Sequence, residues 1–237
     1  MAITVANLTS DGSTTDGTSF STASVTPGSN RLVLLTVDYT PASGTAAPTV
    51  TGNGLTWVEI AGGEYGGAGA GRIVRMFRAM GASPSAGAVT MDFGAVSQGS
   101  LNWSVDEANG VDTSGTNGSG AVVQSVTSLP STNGLSLSLT LAALGSANNV
   151  AFGGFSHAAA ETSTVGSGFT ALANRSIGTP ALSLLTEYQL NVTAVDASWA
   201  TSTTRGAVAI EIKASAGAAP GSPANGLMLV GVGQENG

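Results

Sequence analysis

Turn-forming residues interrupt this sequence about every ten residues or a little more, and the pieces between them are of strand length. Pro27-Gly28-Ser29-Asn30 presets a turn through the fixed φ of proline and the freedom of glycine, and Gly52-Asn53-Gly54 is a tight-turn signal between two β-type runs. Leu135–Leu141 alternates strictly, leucine on one face and hydroxyl on the other, as a half-buried antiparallel strand does. Arg31–Tyr39 is instead almost continuously apolar, the pattern of a central strand covered on both faces. Ile3–Leu8, Phe20–Val25, Thr49–Thr51, Leu55–Ala61, Arg72–Met80, Ala88–Phe93, Leu101–Ala108, Ala121–Ser128, Val150–His157, Phe169–Ala173, Leu184–Leu190 and Ala207–Lys213 complete the expected strands. Arg72–Met80 and Leu182–Leu190 also fit a helical spacing, but their β-branched residues and neighbouring turns favour strands. The expected class is an all-β antiparallel sandwich.

Composition agrees and narrows the function. Apolar residues make up 42% of the 237, enough for a core, while charged residues are only 9%, against about 25% in ordinary domains. The net charge is −7, so no basic surface is available to displace counterions from phosphates, and nucleic acid and anionic membranes are excluded as partners. With no cysteine, thiolate metal sites, disulfides and cysteine catalysis are ruled out. No run approaches the ~18 apolar residues of a membrane span. Met1–Leu8 lacks the basic and apolar regions of a signal peptide, so the expectation is synthesis and folding in a cytoplasm, with lysis or a virion carrying the chain outside.

Candidates for chemistry are few. His157 is the single histidine and lies near no G-x-S-x-G elbow, so it reads as a strand-end residue rather than a triad base. Asp106 and Glu107 are adjacent and would point to opposite faces of a strand. The other carboxylates, Glu59, Glu64, Asp92, Glu161 and Glu187 among them, show no spacing that sets two across a cleft. Asp11–Gly17 is oxygen-rich but lacks the acid alternation of a calcium loop and reads as a turn. Gly62–Gly71 lacks the lysine of a phosphate loop and reads as a hairpin loop. No catalytic residue, metal ligand or cofactor is expected. Trp57, Trp103 and Trp199 read as core, and as glycan contacts only if exposed beside a groove. Arg72, Arg75 and Arg78 hold three of the seven cations. They either pair with Glu59 and Glu64 across a hairpin or contact an acidic neighbouring subunit.

Asn30–Val37 after its Pro-Gly turn, Pro48–Trp57, Arg72–Met80, Val105–Asp112, Gly168–Leu172 and Ala207–Lys213, in that order, resemble the jelly-roll, concanavalin-like sandwich proteins of tailed bacteriophages and of bacterial surfaces. The resemblance covers most of residues 1–214 and rests on turns and core strands. It implies a jelly-roll sandwich and carries no catalytic residues. The missing secretion signal shifts weight towards the phage members.

Residues 1–214 are thus expected to form a jelly-roll β-sandwich, and 215–237 an Ala/Gly/Pro linker with a short apolar C-terminal arm. Leu227, Met228, Leu229 and Val230 either pack back on their own domain or add a strand to a neighbouring subunit. The expected function is a non-enzymatic virion structural protein. A capsid decoration protein is favoured, contacting the major capsid or other virion proteins, located in the virion, and forming a homo-oligomer with a trimer favoured. The alternative is a lectin-like module that binds glycans.

Overall fold

The computed structural model describes residues 2–216, and these hold fifteen β-strands and no helix. The first eight are β1 (Thr4–Ser13), β2 (Ser19–Ser21), β3 (Leu32–Pro41), β4 (Thr49–Gly52), β5 (Val58–Glu64), β6 (Ile73–Ala79), β7 (Val89–Asp92) and β8 (Gln98–Asn109). The remainder are β9 (Val122–Ser128), β10 (Gly134–Thr140), β11 (Val150–His157), β12 (Thr170–Ile177), β13 (Leu182–Leu190), β14 (Ala194–Thr203) and β15 (Arg205–Ile212). Every pairing between them is antiparallel. Both segments with helical spacing are strands, β6 and β13.

Two sandwiches pack against each other. The first joins an inner sheet, β1-β8-β3-β6-β5, to an outer sheet, β2-β7-β4; the second joins β12-β13-β11-β15-β9 to β10-β14. Three apolar cores fill the spaces between the four layers. Leu35, Val37, Phe77 and Met91 pack inside the first sandwich, and Leu139, Phe155, Leu185 and Trp199 inside the second. Leu34, Met76, Phe152, Val208 and Ile210 pack between the two inner sheets. This third core explains the apolar run of β3: each inner sheet is covered on both faces, so Leu32–Tyr39 is buried without interruption and the usual alternation with polar residues has no exposed face to serve.

The second sandwich repeats the first. Substituting β9 for β1, β11 for β3, β12 for β5, β13 for β6 and β15 for β8 converts one inner-sheet order into the other. Thr164, bridged to Ser198, stands where β4 stands in the first outer sheet. The repeat extends to irregularities. A bulge falls between Glu59 and Ala61 in β5, and another between Ala171 and Ala173 in β12. Turns closed by Leu55 N–H to Gly52 O (3.1 Å) and Phe169 N–H to Gly166 O (3.0 Å) precede those strands. Each turn has a left-handed glycine, Gly54 at φ 64° and Gly168 at φ 81°, a conformation that a Cβ would strain. Gly52-Asn53-Gly54 is therefore a turn, as its composition predicts, but its flanking strands belong to different sheets.

Three differences from the sequence reading stand out. Ala194–Thr203 is a strand that small residues disguise, with Val195, Ala197 and Trp199 buried on alternate positions. Phe20–Val25 contracts to β2 plus an isolated bridge from Val25 to Gly87, and the Phe169–Ala173 run extends to Ile177. Leu227, Met228, Leu229 and Val230 lie outside the described residues.

Candidate functional site

A cluster of buried polar side chains lies sealed between the two inner sheets. Alternation along β3 and β8 sends Thr36 and Asp38, and Asn102, Ser104 and Asp106, to the side facing the second sandwich. Asp38 accepts hydrogen bonds from Ser156 Oγ of β11 (2.7 Å) and from the Asn102 backbone N–H (3.1 Å). Tyr65 donates to Ser156 Oγ (2.7 Å), so a chain of donors runs from tyrosine through serine to carboxylate. Tyr65 reaches this position from the loop after β5. There Glu64 accepts from the Gly69 and Gly71 backbone N–H groups (3.1 and 2.8 Å), folding the glycine run back on itself. Asp106 accepts from Asn7 Nδ2 (2.8 Å) and Ser104 Oγ (2.9 Å), and Ser104 meets Thr186 at 3.2 Å.

Burial governs the electrostatics. Loss of water pushes the Asp38 carboxyl up to about 7, against the pull of its hydrogen bonds from Ser156 and Asn102. It pushes Asp106 up to about 6, opposed by Asn7, Ser104 and Thr186. The same loss drives the Tyr65 hydroxyl well above its ordinary range. Asp38 pairs across the sheet with Asn102, four residues along β8 from Asp106. At ~3.3 Å per residue that is ~13 Å of backbone, beyond the ~5–10 Å at which two carboxyls share one glycosidic bond. Both are also closed to solvent.

His157 lies on the opposite side of β11, inside the second sandwich, stacked on Trp199 with ring centroids 4.6 Å apart. Its Nδ1 accepts from Ala159 N–H (3.4 Å), which leaves the proton on Nε2, directed at Ser163 Oγ (3.2 Å). That tautomer donates to the serine and cannot deprotonate it. Burial pushes the imidazole down to about 4, so the ring is neutral at physiological pH. In the first sandwich Tyr39 and Phe93 hold the corresponding places, 4.8 Å apart. His157 is thus the second copy of a core aromatic pair.

The three arginines do not form one patch. Arg75 shares a face of β6 with Ile73 and Phe77; it donates to the Tyr39 hydroxyl (2.9 Å) and forms an ion pair with Glu59. Arg72 and Arg78 fall on the opposite parity, with Met76, towards the second sandwich, and each buries its Nε without a partner among the described residues. The cross-hairpin pairing therefore holds for Arg75 with Glu59, whereas the Glu64 carboxylate is taken by the glycine loop.

Trp103 and Trp199 are 6% and 5% exposed and belong to the two sandwich cores. Trp57 is half-buried against the first core, its Nε1 donating to Gly52 O (3.3 Å). Trp103 and Trp199 therefore offer no exposed ring face. Asp11 pairs with Arg175 of β12 (2.7 Å), tying the edges of the two inner sheets together. A surface cavity of about 570 Å³ lies at one end of the second sandwich. It is bordered by Val122, Val123, Asn148, Asn149, Lys213 and Ala216, and Lys213 pairs with Asp112 at 2.6 Å. No group of His, Cys, Asp or Glu among the described residues is arranged to hold a metal ion.

Asp38, Ser156 and Tyr65 were absent from the sequence-level candidates. The available signal was Asp38 itself, the one acid within an otherwise apolar run. No protein-family model, no curated protein and no solved structure matches this chain.

Proposed function

We propose that this chain is a non-enzymatic structural protein of a bacteriophage virion, a capsid decoration protein that works by burying surface against repeated capsid subunits. The observation that carries the reading is the sealed polar layer. The strongly perturbed carboxyls Asp38 and Asp106 are spent inside the molecule, where they join two sandwiches, rather than displayed in a cleft. The four-layer stack supports the same reading, because it presents firm, weakly charged surfaces with short hydroxyl-rich strands such as Ser19–Ser21 and Thr49–Gly52.

We further propose that both sandwiches are of jelly-roll type. The order β1-β8-β3-β6-β5 set against β2-β7-β4 follows the two-Greek-key winding of a jelly roll at seven of its eight strands, with β5 beside β6 in the inner sheet instead of beside β4 in the outer one. That topology agrees with the resemblance to phage sandwich proteins. Assembly as a homo-oligomer, a trimer by preference, belongs to the same proposal, with the segment Leu227–Val232 as the sequence feature suited to join neighbours. The glycan-binding alternative has no structural observation in its favour, since Trp103 and Trp199 are core residues.

Mass spectrometry of virions purified from the source of the gene tests the reading. A decoration protein is found in them at a fixed, high copy number relative to the major capsid protein; its absence from washed particles overturns the assignment.

A further inference from the structure

Residues related by the internal repeat touch each other along one line. The matched bulges fix the correspondence: the β5 bulge faces Phe77 and Met76 and the β12 bulge faces Glu187 and Thr186, Phe77 pairs with Leu35 and Glu187 with Gly153, so Leu35 of β3 matches Gly153 of β11 and the offset is constant along both strands. Under that correspondence Asp38 matches Ser156 and Thr36 matches Gly154. These matched residues are also neighbours: Asp38 and Ser156 are hydrogen-bonded at 2.7 Å across 118 residues of sequence. A Cβ built on Gly154 would lie 2.7 Å from Thr36 Cγ2. The pseudo-twofold axis of the molecule therefore passes between β3 and β11, and a position on such an axis meets its own equivalent.

The two partners at the axis differ in kind. The first sandwich brings Thr36 and Asp38, one branched and one ionisable; the second brings Gly154 and Ser156, one without a side chain and one a small donor. Two faces of the first type would set Asp38 against a second Asp38 in a dry layer, where both carboxyls cannot ionise, and would crowd threonine on threonine. Two faces of the second type would leave a gap at Gly154 and set hydroxyl against hydroxyl where a carboxylate now accepts the Ser156 proton.

We infer that the inner face of each sandwich is a docking surface selective for the unlike sandwich, with Asp38/Ser156 and Thr36/Gly154 as the residues that set the specificity. A second copy of this chain satisfies that surface only by exchange, the first sandwich of one copy on the second sandwich of the other.

The test uses the full chain and a swap across the axis. Ser156→Asp recreates the like-on-like contact and lowers the thermal midpoint at pH 8 by about 10 °C, whereas Ser156→Ala, which only removes the hydroxyl, lowers it by about 3 °C. The double variant Asp38→Ser/Ser156→Asp places the same two groups on opposite sides of the axis and regains more than half of the loss. The pair Gly154→Thr and Thr36→Gly/Gly154→Thr repeats the logic with shape in place of charge. Selectivity of this kind is overturned if Ser156→Asp is no worse than Ser156→Ala, or if neither double variant is more stable than its destabilised single parent.

Discussion

Glu107 and Glu211 occupy matched positions in the two sandwiches, and each carboxylate accepts a hydrogen bond from a glycine N–H in the loop that leads into the central strand. Gly28 donates to Glu107 Oε2 at 2.5 Å and Gly145 to Glu211 Oε1 at 2.8 Å. Arg31 and Asn149, also matched, supply the second donor to each (2.6 Å in both cases). The loop before each central strand is thus held by one buried acid reaching it from the neighbouring strand, β8 or β15.

Replacing Glu211 with Ala leaves the Gly145 N–H and the Asn149 amide without their acceptor and removes one of the two acceptors of the Gln124 amide. We expect a loss of about 2–4 kcal/mol in urea unfolding. Glu107→Ala costs less, because Arg31 is 41% exposed and water can replace its carboxylate partner.

Stability falls as pH rises from about 4 through the folded-state values near 6 and 7, and levels off above them. Burial raises Asp38 to about 7, Glu187 to about 7 and Asp106 to about 6 in the folded chain, above their values of about 4 when unfolded. The folded state therefore holds more protons than the unfolded state up to pH 7, and raising the pH removes that advantage. His157 acts oppositely, but only below its unfolded value of about 6.5, where the unfolded chain binds the extra proton. The chain should be about 1–2 kcal/mol less stable at pH 8.5 than at pH 6.5, and Asp38→Asn should flatten that dependence.

His157 should show no titration between pH 5 and 8 when its ring proton shifts are followed by NMR. As the counterpart of Tyr39 it should accept an aromatic replacement: His157→Phe is expected to cost under about 1.5 kcal/mol, whereas His157→Ala, which empties the space beside Trp199, costs about 3 kcal/mol. Under the proposed decoration role, neither change should alter capsid association.

Tryptophan emission should be blue-shifted and poorly quenched by iodide, with Trp57 supplying the small accessible fraction. Adding mono- or oligosaccharides should leave the spectrum unchanged. A saturable change with one sugar would instead support the glycan-binding alternative.

Much of the fold was legible because turn chemistry is local. Pro27–Asn30, the Gly52–Gly54 turn and the alternation of Leu135–Leu141 specify their own structure within a few residues. Strand β14 was hidden because Ala and Ser carry little β preference, so Val195, Ala197 and Trp199 looked like scattered residues rather than one face. The repeat was hidden for a different reason. What recurs is geometry: tyrosine on phenylalanine becomes histidine on tryptophan, and arginine to glutamate becomes asparagine to glutamate. Only short echoes remain in the sequence, such as Gly52-Asn53-Gly54-Leu55 and Gly166-Ser167-Gly168-Phe169. The polar layer was beyond local reasoning altogether, since Asp38 meets Ser156 only after two sheets have formed and packed.

Gel filtration with light scattering on the purified full chain, alone and mixed with purified capsids from the source of the gene, tests the proposed role most directly. The decoration reading predicts a discrete oligomer that co-elutes with capsids and saturates at a fixed ratio to the major capsid protein. A monomer that elutes apart from capsids at every ratio would contradict it.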